Sequence, residues 1–194
     1  MSSFVIPAWD LAHILGISFH PYCQPCYDAC VDDFHIHIAT ANGFLELDML
    51  DEAADALEEI QPHLRMRAEV LDVRAEIYCR LSRWEEMAAV GKLLAELYPE
   101  EATHHLTYAF AVRLADSLEA ACEILNAVAH QFPDEAHFQY TLGSYESLLG
   151  LFERAFYHIR RALELDPPRA SMALRDPDIE PLWDALQEVS DDAE

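Results

Sequence analysis

Cations are what this chain most lacks. Its 194 residues hold 12 Lys and Arg against 36 Asp and Glu, a formal net charge of −24. Lys92 is the single lysine, and no Lys or Arg precedes Arg65. Nucleic acids and anionic membranes are gripped through clustered cations, so neither is an expected partner. The acid excess reads as a solvated, self-repelling surface; a basic partner or a host with a salty cytoplasm are sharper readings of the same count. Glycine is also scarce, at 5 residues, while Ala, Leu and Glu are abundant, which favours helix over sheet. No apolar run approaches the roughly 20 residues a membrane helix needs. The first twenty residues carry no cation and include Asp10, unlike a secretory leader, so a cytoplasmic location is expected. The 5 cysteines are odd in number, and Cys79 and Cys122 fall within helical patterns, which suits reduced thiols better than a disulfide framework.

Chemical motifs are missing too. There is no Gly-rich phosphate loop, no Gly-x-Ser-x-Gly elbow and no His-Glu-x-x-His. No catalytic residue is nominated, no cofactor is expected, and the chain reads as a non-enzyme. His63, His104, His105, His130, His137 and His158 read as surface or packing residues. One local cluster stands apart: His20, Cys23, Cys26 and Cys30, followed by His35 and His37. Cys23-x-x-Cys26 is a spacing zinc accepts, although a structural site wants four ligands. Metal or redox chemistry there is the alternative function; the plainer reading is an incidental N-terminal extension.

Against these absences stands a strong periodicity. Pro99, Pro133 and Pro167 are 34 residues apart. So are Ala41, Ala75, Ala109 and Gly143, and so are Ala53, Met87, Ala121 and Ala155. Small side chains at fixed places let two helices of a hairpin, and the next hairpin, approach closely. The 34-residue step is the period of the tetratricopeptide repeat.

Residues 34–167 resemble four such repeats, at about 34–66, 67–100, 101–134 and 135–167. The last matches best, with Leu142-Gly143, Gly150, Ala155, Ala162-Leu163 and Pro167. The third keeps Tyr108-Ala109, Ala121 and Pro133. The second keeps Ala75, Tyr78, Trp84 and Pro99 but departs at Met87 and Gly91. The first keeps Ala41, Phe44, Ala53 and Leu57, with an early Pro62. Met172–Trp183 is similar to the end of a bacterial group of these proteins. The expected fold is all-α: a solenoid of four helix-turn-helix repeats, preceded by an extension over 1–33 and closed by a capping helix and acidic tail over 168–194.

The element boundaries follow from the pattern. First helices are expected near 34–47, 64–81 and 102–114, with a fourth opening on Asp134 and Glu135, where negative charge suits the helix dipole. Arg160 and Arg161 are expected to serve the opposite end of the last repeat. Gly43 within the first helix, at a cost of about 1 kcal/mol relative to Ala, suggests close packing against residues 1–33 or a frayed first helix. Ser82 to Glu85 reads as a capping box and Asp116 or Ser117 as a helix start. Trp84 reads as a packing residue. Asp178 is expected to cap a terminal helix with Pro181 in its first turn and Leu182, Trp183, Leu186 and Val189 on its apolar stripe. That helix would cover the last hairpin's apolar edge.

The resemblance also implies a site. In this family the first helices line a concave groove. Its polar and aromatic positions here are Asn42, Asp72, Glu76, Arg80, Phe110, Arg113 and Tyr140, with Ile38, Leu106, Leu114 and Leu148 as apolar candidates. Such a mixture suits an extended or helical segment of another protein. The family's clamp for acidic chaperone tails would fall on Ile38, Asn42, Val73, Thr103 and Thr107, and only Asn42 matches. The expected activity is protein-binding scaffolding by a monomer or small oligomer, with a basic or neutral partner segment.

Overall fold

The structure, a computed structural model, describes the backbone of residues 24–191 and the side chains of 33–187. The helices come in pairs, because each carries an apolar face it cannot bury alone. The pairs are α1 (Gln24–Glu46) with α2 (Leu50–Glu58), α3 (Ala68–Arg80) with α4 (Trp84–Leu97), α5 (Ala102–Ala115) with α6 (Leu118–Val128), and α7 (Ala136–Leu148) with α8 (Phe152–Leu165). A short α9 (Ala170–Ala173), a 3-10 turn (Pro177–Leu182) and α10 (Trp183–Asp191) follow. No strand occurs among the described residues. First helices touch across pairs, α1 to α3 and α5 to α7, and α4 lies along α5. This is the all-α solenoid of helix-turn-helix repeats that the periodicity predicts.

The small-residue columns sit where helices meet. Ala41, Ala75, Ala109, Ala53, Met87, Ala121 and Ala155 are all buried. A Cβ on Gly143 would stand 2.8 Å from Ile159 Cγ1, so α7 and α8 touch there almost backbone to side chain. Gly91, a departure from the family pattern, has a similar role between pairs. A Cβ at Gly91 would stand 2.8 Å from Tyr108 Cα, so its absence lets α4 nest against the α5 backbone.

A further 34-step column lies in the turns within pairs. Asp48, Ser82 and Gly150 adopt left-handed φ of 59°, 55° and 75°. At each, two backbone bonds close the preceding helix: the residue after the turn donates five back, as in Arg83 N–H to Tyr78 O at 2.8 Å and Leu151 N–H to Glu146 O at 2.9 Å. Ser82 therefore ends α3 and cannot also cap α4. The capping box is absent; Arg83 occupies the cap position without a side-chain bond. The third pair differs. Asp116 stays at negative φ, and Ser117 Oγ accepts from Ala120 N–H at 3.2 Å. Ser117→Ala is expected to lower stability by about 1 kcal/mol in a urea titration.

Other expectations shift. α1 begins ten residues upstream of Phe34, taking in Cys26 and Cys30; His20 and Cys23 lie outside the described residues. The helix continues through Gly43 without fraying, and among the described residues a Cβ there would meet nothing within 4 Å; the expected packing against residues 1–33 falls largely outside them. Asp134 and Glu135 precede α7 instead of occupying its first turn. Arg160 and Arg161 lie before the last turn of α8. Arg161 pairs with Asp134 at 2.5 Å, so its charge ties α8 to the start of α7.

The terminal segment covers the last pair as expected, but Pro181 lies within the 3-10 turn and not in the first turn of α10, and the side chain of Val189 lies outside the described residues. Ala173, Ile179, Leu182 and Leu186 cover Ala155 and Ile159. Trp183 Nε1–H donates to Ala173 O at 3.1 Å. The capping residue is Asp176, whose carboxylate accepts from Asp178 N–H at 3.0 Å, because the chain enters a 3-10 turn before α10 begins.

Candidate functional site

The faces of α1, α3, α5 and α7 carry the nominated residues. Where α1 meets α3 they line a cavity of about 410 Å³ with Ile38, Asn42, Leu45, Glu69, Asp72, Val73 and Glu76 on its walls. The floor is apolar and the rim is mostly carboxylate. Asn42, Asp72 and Glu76 line it from the two helices, and Ile38 is half-buried. Burial by its surroundings raises the Asp72 carboxyl above its ordinary range, opposed by His104, whose Nε2 lies 3.6 Å away. That pair links α3 to α5. His104 itself is buried, its Nδ1 3.3 Å from Tyr98 O, and neighbouring His105 Nε2 is 3.0 Å from Pro99 O. Both are packing histidines.

The arginines of this face are already engaged. Arg80 donates to Glu76 at 2.8 Å and to Leu45 O at 2.6 Å, and stands 3.9 Å from Asp48. Its guanidinium is held charged chiefly by the Glu76 bond. Arg113 lies 3.8 Å from Asp178 and stacks over the Tyr145 ring at 5.1 Å. Tyr140 is taken as well. Its hydroxyl donates to Asp176 at 2.6 Å, and Arg169 lies over its ring at 5.4 Å. Burial, and then the Asp176 bond, push the Tyr140 hydroxyl well above its ordinary value. The C-terminal turn thus rests on Arg113 and Tyr140, and both meet the chain's own acidic segment.

The apolar positions divide. Leu106 is buried in the core with Ala109, Leu125 and Phe138, so it offers no surface. Phe110, Leu114 and Leu148 are 39, 44 and 42% exposed. Phe110 and Leu114 are one helical turn apart on α5, and Leu148 holds Leu114's place one repeat on. Trp84 meets Phe110 edge to face, centroids 6.2 Å apart, and packs beside Met87 and Ala111. It is a packing residue that stiffens the ring next to it.

Sequence reasoning missed a polar cluster between α6, α7 and α8. Glu146 is fully buried, yet Arg154 Nη2 approaches its Oε1 at 2.5 Å and His158 Nε2 its Oε2 at 3.7 Å. Neither oxygen has an aligned hydrogen-bond donor, so the Arg154 contact acts as charge against charge. Arg154 also donates to Asn126, whose amide donates to Cys122 O at 2.9 Å. Gln139 Nε2 donates to Phe132 O at 2.8 Å, so its carbonyl receives His158 Nδ1–H at 2.7 Å. That leaves the His158 Nε2 lone pair facing Glu146. Burial raises the Glu146 carboxyl against the pull of Arg154, and lowers His158, helped by Arg154. Cys79 and Cys122 are free thiols, and burial raises both above the ordinary thiol value. Glutamate at 146 is conspicuous only as a charge on a face that the 34-step turns inward.

Among the described residues no group of three His, Cys, Asp or Glu could hold a metal ion. No helix among them is long and apolar enough to cross a membrane.

No protein-family model matches the chain, and no curated protein does. Solved structures do. A MamA protein is similar over 81% of this chain and 87% of its own, at 15% identity and a TM-score of 0.64. The MamA 41-end chain from Desulfovibrio magneticus RS-1 matches over 82% and 94%, at 18% identity and a TM-score of 0.60. TTC0263, a thermophilic TPR protein in Thermus thermophilus, matches over 78% and 82%, at 17% identity and a TM-score of 0.59. The chain has a TPR-like helical-repeat fold.

Proposed function

We propose that this protein is a non-enzymatic scaffold that holds a basic or neutral segment of another protein on the face of α1, α3, α5 and α7. The observation that carries the reading is the exposure of Phe110, Leu114 and Leu148 on α5 and α7, together with an open cavity between α1 and α3 rimmed by Glu69, Asp72 and Glu76. The apolar surface supplies affinity, and the carboxylates select charge and register. The fold supports the same use, since stacked pairs leave one long continuous face. The terminal cap covers the last pair's apolar edge, which favours a monomer or small oligomer over end-to-end polymers.

Affinity capture with wild-type, Phe110→Ala and Asp72→Lys baits tests the reading. A prey retained by wild-type and lost by both variants, at unchanged helical circular dichroism, is the expected result. Preys held equally by all three baits would place binding elsewhere. Tyr140 is a poor probe, because its loss would also release the C-terminal turn.

A further inference from the structure

We infer that the partner segment is bipartite: a cationic half lies over the α1–α3 cavity and an apolar half over Phe110, Leu114 and Leu148. The inference rests on the groove reading above and goes further, giving the ligand a direction along the solenoid.

The local balance of acid and base sets which charge this face accepts. The 34-step places two arginines on this face, and the chain neutralises both. Arg80 is shared among Glu76, Asp48 and the Leu45 carbonyl. Arg113 is matched by Asp178, and Tyr140 by Asp176, both from the C-terminal turn. An acidic ligand would find these cations occupied, and would have to displace the chain's own carboxylates at α5 and α7. Around the cavity the balance is opposite. Glu69 pairs with Arg67 at 3.2 Å, Asp72 faces a buried histidine at 3.6 Å, and Asp48 and Glu76 share one arginine, so acid still outnumbers base. Negative potential therefore persists over α1 and α3, in a protein of net charge −24. A Lys or Arg entering the cavity can lay its methylene stem on Ile38, Leu45 and Val73 while its head reaches the rim.

At α5 and α7 the surface changes character. Phe110, held edge-on by Trp84, is exposed, as are Leu114 one turn on and Leu148 at the same place on α7, and Arg113 is already matched by Asp178. Aromatic and aliphatic anchors of this kind carry most of the energy of an interface. Neighbouring helices stand about 8–10 Å apart, so the two halves are separated by roughly 20 Å. That is about six extended residues at roughly 3.3 Å each.

A phage-displayed random 16-mer library, selected on the intact protein with the Phe110→Ala variant as counter-selection, tests this. The expected consensus has two or more Lys or Arg at one end and Leu, Ile, Phe or Met about six positions away. A synthetic consensus peptide should lose at least tenfold affinity against Phe110→Ala, with its salt dependence unchanged. Against Asp72→Asn with Glu76→Gln it should lose at least fivefold, with a flatter salt dependence. Enriched peptides that are acidic or uncharged, or that ignore the carboxylate changes, overturn the bipartite inference and leave the groove reading standing. A selection that enriches nothing sensitive to Phe110→Ala overturns the groove reading and this inference together.

Discussion

Arg154→Met is expected to lower stability by about 3 kcal/mol at neutral pH, with a fall in Tm of roughly 6–12 °C. The reason lies in the partner left behind. Glu146 has no exposure to water, and Arg154, itself half-exposed, is the fixed positive charge against it. Removing the arginine strands a buried carboxylate, the costliest way to break such a pair. The lower end of the usual range for such losses applies because Arg154 lies partly in solvent. Adding Glu146→Gln to the variant should recover at least half the loss, since a neutral amide needs no counter-charge. A variant whose double mutant is no better than the single one would rule out the charge as cause.

The loss should also shrink on acidification. Burial already raises the Glu146 carboxyl above its ordinary value, so the folded state binds a proton more readily than the unfolded chain does. A carboxyl raised in this way adds stability as pH falls and loses it as pH rises through the folded value. Without Arg154 that value rises further. The groups facing Glu146 are Arg154 and His158, with Cys122 nearby. His158 is lowered in the fold, so its own contribution runs the other way: it favours unfolding as pH drops below its ordinary 6.5. Arg154 helps to lower His158, so removing it eases that loss in the variant and works in the same direction. The difference between wild-type and variant, from urea titrations at pH 7.5 and 5.0, should therefore narrow toward the acid side.

Gly91→Ala is expected to destabilise by about 2 kcal/mol, although alanine is the better helix former by about 1 kcal/mol. The new methyl would meet Tyr108 Cα and N, which are backbone, at 2.8 and 3.0 Å. No rotamer change can relieve that contact, so α4 and α5 must move apart. Gly43→Ala provides the control with opposite sign. Among the described residues nothing lies within 4 Å of a Cβ there, so the same substitution should stabilise by roughly 0.5–1 kcal/mol. If both changes shift the urea midpoint in one direction, contact distance is not what separates the two glycines.

How far the residues announced all this varies from place to place. The small columns were legible because close helix approach demands small side chains whatever surrounds them. Ser117 as a cap was legible because its hydroxyl serves its own helix. Ser82 looked equally suited to capping, yet the tight turn needed one left-handed residue there, and a backbone requirement overrode a side-chain preference. The nominated face is likewise uneven. Asn42, Asp72 and Glu76 surround one cavity, and Phe110 is exposed. Leu106 belongs to the core. The same repeat position can turn in or out, depending on how far each pair rotates against the next.

Taken alone, the amino-acid order decides the repeat length, the helical pairing, the inward columns and the acid excess. These are local or periodic properties, and each repeat carries its own evidence. Only the folded chain decides that Arg113 and Tyr140 are taken by an acidic turn, that Glu146 depends on Arg154, and that Gly91 receives the backbone of α5. Each of these joins groups from different helices, and a charge or a gap acquires its meaning only from what lies opposite.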